Sequence, residues 1–459
     1  GNTFVKMPDG SVKHNLMEGP FAFIGHNSGI SGDLGLNWQI NENHSLGMKM
    51  NYGGMLFGNQ DNVFEDNVYA NDELIDIVHS TSHTTTPSSH TFTGNIYYDG
   101  NINKLHVNFN ADFSNSGYKK ETNVNENSQN DPAFIENLSD GVARMGAGKL
   151  VLSYPIWKGM FKIGTEETYV TAKQEYNSTK TEIPSSKAKI TENNISGFAE
   201  YALPFKYVQV VAGIRYEHVD FEYTNECSPK DNISRTHNNW FPSFNASTKI
   251  GPVGINLGYT TKIKRPRYDQ LSTEMQYNNR FLYQTGDPTL LNEIQNTLSL
   301  NANWRWLTLT GAYEVVDNAI YQLGYPYDDD CTAMVKYSNA KETVRKLNIY
   351  LNASPTIGIW NPRYTVGMEK QYFETTVIDP RESTGTRVVK RNDPMFFVQA
   401  NNSFKLKQGW LIDLDYQYTS PFDYVMYKFT KPKHGLNLAV SKSFLKHDAL
   451  NVRLAWNDI

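Results

Sequence analysis

The chain has 459 residues, a formal net charge of -5, and 39% hydrophobic and 13% aromatic residues, with a mean hydropathy of -0.55. It contains no run of eighteen apolar residues, which excludes a helical membrane span. Its acidic balance gives no bulk electrostatic pull towards nucleic acid, and its two cysteines form no cysteine-ligated metal pattern.

Residues 1–29 are less regular, with turn-forming Pro8, Asp9 and Gly10, then Gly25, Asn27, Ser28 and Gly29. They hold one more strand or part of a preceding loop. From residue 30 onward the chain alternates apolar and polar residues, at 34–40 and 46–52 and then clearly at 105–113. There Leu105, Val107, Phe109, Ala111 and Phe113 alternate with His106, Asn108, Asn110 and Asp112. In 253–263, Val253, Ile255, Leu257, Tyr259 and Ile263 are interleaved with Asn256 and Lys262. Runs at 298–304, 307–315, 347–353 and 436–440 follow the same rule. So do Trp410, Ile412, Leu414, Tyr416 and Tyr418, and finally Leu450, Val452, Leu454 and Trp456. Period-two alternation gives a strand one apolar and one polar face. No stretch keeps apolar residues at helical spacing, so no long helix is expected.

The connections differ in length. Short ones fall near 41–44, 99–102, 156–159, 203–206, 250–252, 303–306, 354–361, 406–409 and 444–448, and many carry the Gly, Pro, Asn or Asp that tight hairpins need. Between them lie long polar segments near 58–86, 117–145, 178–190, 223–238, 264–291, 376–392 and 420–431, with a shorter one at 323–331. Nine short turns imply about eighteen strands. Short turns on one rim and long loops on the other define a large antiparallel transmembrane β-barrel, an all-β fold. Low mean hydropathy fits, because only alternate strand residues meet lipid. Trp157, Phe161, Trp304, Trp306, Trp360, Trp410 and Phe444 sit beside the short turns, where an interfacial aromatic girdle belongs.

Chemistry-bearing motifs are scarce: there is no G-x-S-x-G, H-E-x-x-H, phosphate-cradling loop or EF-hand. Asp328, Asp329 and Asp330 before Cys331 read as a solvated loop, with calcium ligation the sharper alternative. His79, His83 and His90 read as exposed; on a strand, 79 and 83 would lie about 13 Å apart, too far to share one ion. Lys262, Lys264, Arg265 and Arg267 read as a solvated rim patch, with contact to an anionic headgroup or solute as the alternative. Cys227 and Cys331 fall in loops on the same rim, and an oxidising compartment leaves a disulfide between them open.

The segment 264–293 carries a resemblance. Arg265, Pro266, Tyr268 and Leu271 are followed by Gly286, Asp287, Pro288, Leu290 and Glu293, and then a new strand. This resembles the extracellular loop motif of TonB-dependent outer-membrane receptors, in particular the Bacteroidetes outer-membrane β-barrel family, where Arg-Pro-x-Tyr-x-x-Leu precedes Gly-Asn-Pro-x-Leu-x-Pro-Glu. Asp287 replaces the usual Asn, and Asn292 stands where the second Pro is expected. Tyr337-Ser-Asn339 and Asn457-Asp-Ile459 resemble further family landmarks.

The resemblance covers roughly 30–459 and implies a barrel of about 22 strands, of which this chain supplies about 18 or more. The family's plug, its TonB-engaging segment and a closing strand are not visible between Gly1 and Ile459, so the chain reads as a fragment of a larger receptor. The resemblance implies location in the bacterial outer membrane, among lipid and lipopolysaccharide. It further implies uptake of a scarce nutrient such as a glycan, peptide, metal chelate or cobalamin. The partners would be its own plug, TonB, the solute and a surface lipoprotein, with no nucleic acid, no cofactor and no enzyme activity. Two alternatives stand beside it: a passive porin, adhesin or structural barrel, and a soluble β-rich glycan-binding protein or hydrolase.

Overall fold

The computed structural model describes residues 2–128, 130, 132–327, 333–445, 447 and 449–459. Three strands open the chain, β1 (Asn2–Lys6), β2 (Val12–Glu18) and β3 (Phe21–Asn41). The long strands β4 (His44–Ala70), β5 (Glu73–Ile102), β6 (Leu105–Ser128) and β7 (Ala133–Ile156) follow. Next come β8 (Gly159–Ser178), β9 (Ser186–Pro204), β10 (Val208–Asn225), β11 (Ile233–Ile250) and β12 (Val253–Lys264). A one-turn helix, α1 (Tyr268–Leu271), and the short β13 (Gln276–Asn279) and β14 (Leu282–Thr285) precede β15 (Glu293–Trp304) and β16 (Leu307–Asp317). β17 (Ile320–Pro326) and β18 (Ala333–Asn339) lead to β19 (Val344–Ala353), β20 (Trp360–Ile378), β21 (Thr386–Arg391) and β22 (Met395–Lys405). β23 (Trp410–Thr419), β24 (Phe422–Tyr424), β25 (Tyr427–Phe429), β26 (Lys433–Phe444) and β27 (Leu450–Trp456) follow.

One 21-stranded antiparallel sheet contains most of these strands. Its wall is an up-and-down run from β3 to β27 in which each strand pairs with the next wall strand, with eighteen wall strands joined by nine short turns. β1, β2 and β21 are additions at the far rim: β2 extends the line of β3 along β4, and β21 extends the line of β22 along β20. Among the described residues, β3 and β27 are each paired along one edge only.

Cross-strand register shows why the wall has two unlike faces. Leu257 faces Leu300, then Gly311, Ile349, Met368 and Phe396 along one row of neighbouring strands. One residue away, the opposite face runs Asn256, Asn301, Thr310, Tyr350 and Gly367. The first row is apolar, with Leu257, Leu300, Ile349 and Phe396 exposed; the second carries side-chain hydrogen bonds such as Thr310 Oγ1 to Asn301 Oδ1 at 2.9 Å. An apolar exterior belt and a polar interior are what a membrane barrel requires. At the short-turn rim, Arg305 lies 5.5 Å from the Trp304 ring centre, and Lys442 lies 5.4 Å from Trp410 and 5.6 Å from Phe444. Cations over interfacial rings mark the headgroup level.

At the far rim the strands run well beyond the bilayer. β5 has 30 residues and β4 has 27, against the roughly 9–11 that span a membrane. This corrects the expected loops at 58–86 and 117–145, which are the upper halves of β4–β5 and β6–β7. The first pair closes through Asn71 and Asp72, both at positive φ (49° and 68°). Above the bilayer the outer face meets water, so the apolar alternation fades while the backbone ladder persists. The segments at 178–190, 223–238 and 376–392 likewise shrink to connections between paired strands, and the turn expected at 99–102 falls instead at Asn103–Lys104. Within 1–29, where the sequence leaves one more strand or a loop open, the described residues from Asn2 onward form strands: β1, β2 and the start of β3.

Candidate functional site

β12 leaves the wall at Lys264 and β15 rejoins it at Glu293, and these two residues face each other on the top rung of that ladder. The excursion 265–292 therefore begins and ends at one point and folds back over the polar face. β13 and β14 form a hairpin, β14 runs parallel to β18, and β18 pairs with β17, so the excursions after β12 and β16 build one four-stranded sheet. This sheet reaches the inner face of β6–β10. Leu271 and Leu290 pack with Ala172, Ala188, Ile190, Phe221 and Tyr223. Tyr277 and Tyr283 pack with Val124, Ile135, Tyr176 and Ile183. Burying two such clusters favours the inward fold by several kcal/mol, at roughly 1.5–3 kcal/mol per large side chain.

Each motif residue has a definite place in this excursion. Arg265 is bound by Glu217 and, at 3.2 Å, by Glu192. Pro266 is buried, and Tyr268 packs against the Leu271 cluster. Gly286 sits where an added Cβ would lie 2.4 Å from the carbonyl oxygens of Gln270 and Ser272. Its own N–H donates to Ser272 O at 2.9 Å. Asp287 Oδ1 accepts from the Thr289 backbone N–H (2.9 Å) and hydroxyl (2.6 Å), and the other oxygen pairs with Lys336 at 3.1 Å. These contacts of the short acidic side chain hold the turn at Gly286-Asp287-Pro288. The Pro288 carbonyl accepts from Arg235, and Leu290 is 1% exposed. Glu293 binds Lys264 at 3.1 Å and accepts from the Ile320 backbone N–H at 2.6 Å, tying the two excursions together. Asn339 clamps both ends, accepting from the Leu291 N–H and donating to the carbonyls of Leu291 and Asn318.

In the basic run, Lys262, Lys264 and Arg267 are exposed at the rim, as a solvated patch requires, with Lys264 and Arg267 paired to Glu293 and Asp269, whereas Arg265 is half-buried between Glu192 and Glu217. Sequence reasoning missed a second anchor. Glu126 on β6 is 0% exposed and receives Arg280 Nε at 2.6 Å, the Tyr277 hydroxyl at 2.8 Å and the Arg280 backbone N–H at 3.2 Å. Its sequence signal is only a carboxylate in 117–145, where the alternation predicts a loop and the structure has β6 and β7.

Between the excursion and β6–β8 lies a polar cavity of 270 Å³, lined by Tyr118, Lys120, Ser139, Gln174, Glu274 and Gln276 among others. Glu274 is 9% exposed. Burial pushes its carboxyl up to about 7, against the Lys120 charge and a hydrogen bond from Gln276. Amides, hydroxyls and one poised carboxyl can bind a hydrogen-bonding solute. Other flagged residues lie elsewhere. His79 and His83 stand on the outer face of β5 beside β4, His83 Nδ1 being 2.5 Å from Asp61 and His79 3.9 Å from Glu65. Among the described residues no group of His, Cys, Asp and Glu could hold a metal ion. Cys227 is exposed, while Asp328, Asp329, Asp330 and Cys331 lie outside the described residues.

The fold is that of an outer-membrane barrel wall whose far-rim excursions fill the interior. The sequence profile of the outer membrane protein beta-barrel family matches residues 98–459, and the chain belongs to that family. Solved structures of similar fold include the copper transporter OprC, with TM-score 0.63 and 11% identity over 97% of this chain and 74% of that one. The FrpB iron transporter from Neisseria meningitidis (F5-1 variant) matches with TM-score 0.56 and 12% identity, over 95% of this chain and 76% of its own. The siderophore receptor PirA from Pseudomonas aeruginosa matches with TM-score 0.52 and 13% identity, over 97% and 77%. No curated protein sequence matches the chain.

Proposed function

We propose that this chain is the barrel wall of a TonB-dependent outer-membrane transporter that takes up a scarce nutrient without covalent chemistry, in the manner of the Bacteroidetes barrel family. The observation that carries this reading is the excursion 265–292, folded into the lumen, anchored by Arg265 and Arg280, and leaving a polar cavity beside Glu274. A passive pore works by an open aqueous path; here a four-stranded sheet with two apolar clusters occupies the upper lumen. Obstructed barrels need energy to move solute, and the motif resemblance assigns that energy to TonB acting through a plug. The solved barrels of similar fold are described as copper and iron transporters and a siderophore receptor, so a metal chelate joins glycans and peptides as a candidate cargo. A surface lipoprotein that hands over the solute is the further partner this reading admits.

The test is growth of a deletion strain on limiting amounts of candidate nutrients, with and without a working TonB system. Loss of growth in both the deletion and the TonB-deficient strain is expected. Uptake through this protein that persists without TonB would make it a passive pore and overturn the proposal.

A further inference from the structure

The wall has a notch at its far rim. β20 pairs with β19 only as far as the Arg345–Tyr372 rung, while on its other side it stays paired with β21 from Phe373 to Ile378. The Asp379 N–H donates to Gly385 O at 3.0 Å. Antiparallel partners alternate in direction, so Val377, Thr375 and Phe373 turn their backbone groups towards β21. The N–H and C=O groups of Glu374, Thr376 and Ile378 therefore point into the notch, where no strand meets them among the described residues.

The notch has a floor. The β17–β18 hairpin lies against the inner side of β20, fixed by the Tyr321 hydroxyl 3.0 Å from Thr375 Oγ1 and by edge-on packing of the Tyr321 and Phe373 rings. A crevice of 950 Å³ runs between this hairpin and the free edge, with Tyr321, Leu323 and Tyr325 along the floor and Lys341 and Arg345 at its lower end. Neither of these cations has a carboxylate within ion-pair distance among the described residues. Exposed edges are ordinarily blunted by proline, lysine or a bulge. The free stretch Phe373-Glu-Thr-Thr-Val-Ile378 has neither proline, lysine nor a bulge, its one charge, Glu374, is paired with Lys390 of β21 at 2.9 Å, and it is rich in strand-forming residues.

We propose that this notch is a docking site for a short extended peptide from the exterior, which adds as a strand to the free edge of β20. Only another extended backbone repeats donors and acceptors at the two-residue spacing that Glu374, Thr376 and Ile378 present. Alternate side chains of such a peptide would meet the Tyr321–Leu323–Tyr325 floor, which selects apolar residues at every second position. Lys341 and Arg345 suit a terminal carboxylate. The crevice is of small-ligand size, about 300–1,000 Å³, which favours a free peptide over a folded partner. This inference concerns equilibrium binding at the rim and does not depend on the barrel being a transporter.

The test uses the full chain in lipid nanodiscs and a fluorescent six-residue peptide of alternating valine and threonine with a free C-terminal carboxylate. Saturable binding is expected, weakened about tenfold or more by Thr376→Pro, which removes one edge donor without touching the β21 ladder. Thr376→Val should leave binding unchanged, and Lys341→Glu with Arg345→Glu should weaken it. The same peptide N-methylated at every residue, with no edge left to donate, should not bind the unaltered protein, a comparison that needs no variant to fold. Equal binding of the methylated peptide, equal binding to Thr376→Pro, or no saturable binding would overturn the proposal. So would self-association of the protein through this edge in place of peptide binding.

Discussion

Gly286 is the residue on which the inward fold of the excursion turns. Its backbone passes so close to the Gln270 and Ser272 carbonyls that a methyl group cannot fit between them. Gly286→Ala should cost about 1–3 kcal/mol, the range for a strained or overpacked site, and should make the 265–292 segment cleavable by protease on intact cells while the wall resists. Glu274 sets a pH dependence in the same segment. Burial raises its carboxyl from 4.5 to about 7 in the folded protein, so the folded state holds a proton that the unfolded segment releases between those values. Stability of the segment is therefore fully present below pH 4.5 and declines as pH rises towards 7. Protection factors across 270–286, taken after division by the intrinsic base-catalysed exchange rate, should fall over that interval, and Glu274→Gln should remove the fall; an unchanged profile in that variant would place the titrating group elsewhere.

At the scale of elements, the small lumenal sheet is held by two charged anchors and two apolar clusters. Removing one member of a buried ion pair costs about 3–5 kcal/mol, because the partner is left uncompensated. Glu126→Ala takes from Arg280 its nearer carboxylate and leaves it Asp76 at 3.5 Å, so amide protection over 276–285 should fall, while β8–β9 exchange stays slow. How much of this was legible follows from where each signal arises. Nine hairpins beside aromatic residues were readable because lipid on one face and water on the other impose strict alternation, as at Leu105–Phe113. The upper halves of β4–β7 were not, because with water outside there is no apolar face left to see. Their best clue is the Asn71-Asp72 turn, a two-residue signal inside a stretch already crowded with Asn, Asp and Glu. Motif spacing places Arg265 and Gly286 in one excursion, but the carboxylates that hold Arg265 and Arg280 lie on wall strands 48 to 154 residues away. Glu126, Glu192 and Glu217 are ordinary carboxylates until register puts them inward.

For the whole molecule, the decisive property is the division of each strand between lipid and lumen. That division predicts unequal consequences for neighbouring substitutions of the same kind. Leu300 lies on the apolar belt, four residues from the girdle residue Trp304, while Asn301 points to the interior and accepts from Thr310. A charged side chain on the lipid face near mid-bilayer costs about 2–4 kcal/mol, whereas a lumenal one meets water and polar neighbours. Leu300→Arg should therefore lower the urea midpoint of the reconstituted barrel and reduce its assembly into membranes. Asn301→Arg, one residue away on the same strand, should leave both nearly unchanged. The same pair can be made at Leu257 and Asn256, whose faces are set by the same register. Equal effects at 300 and 301 would mean that the belt does not face lipid, and the barrel assignment would lose its physical basis.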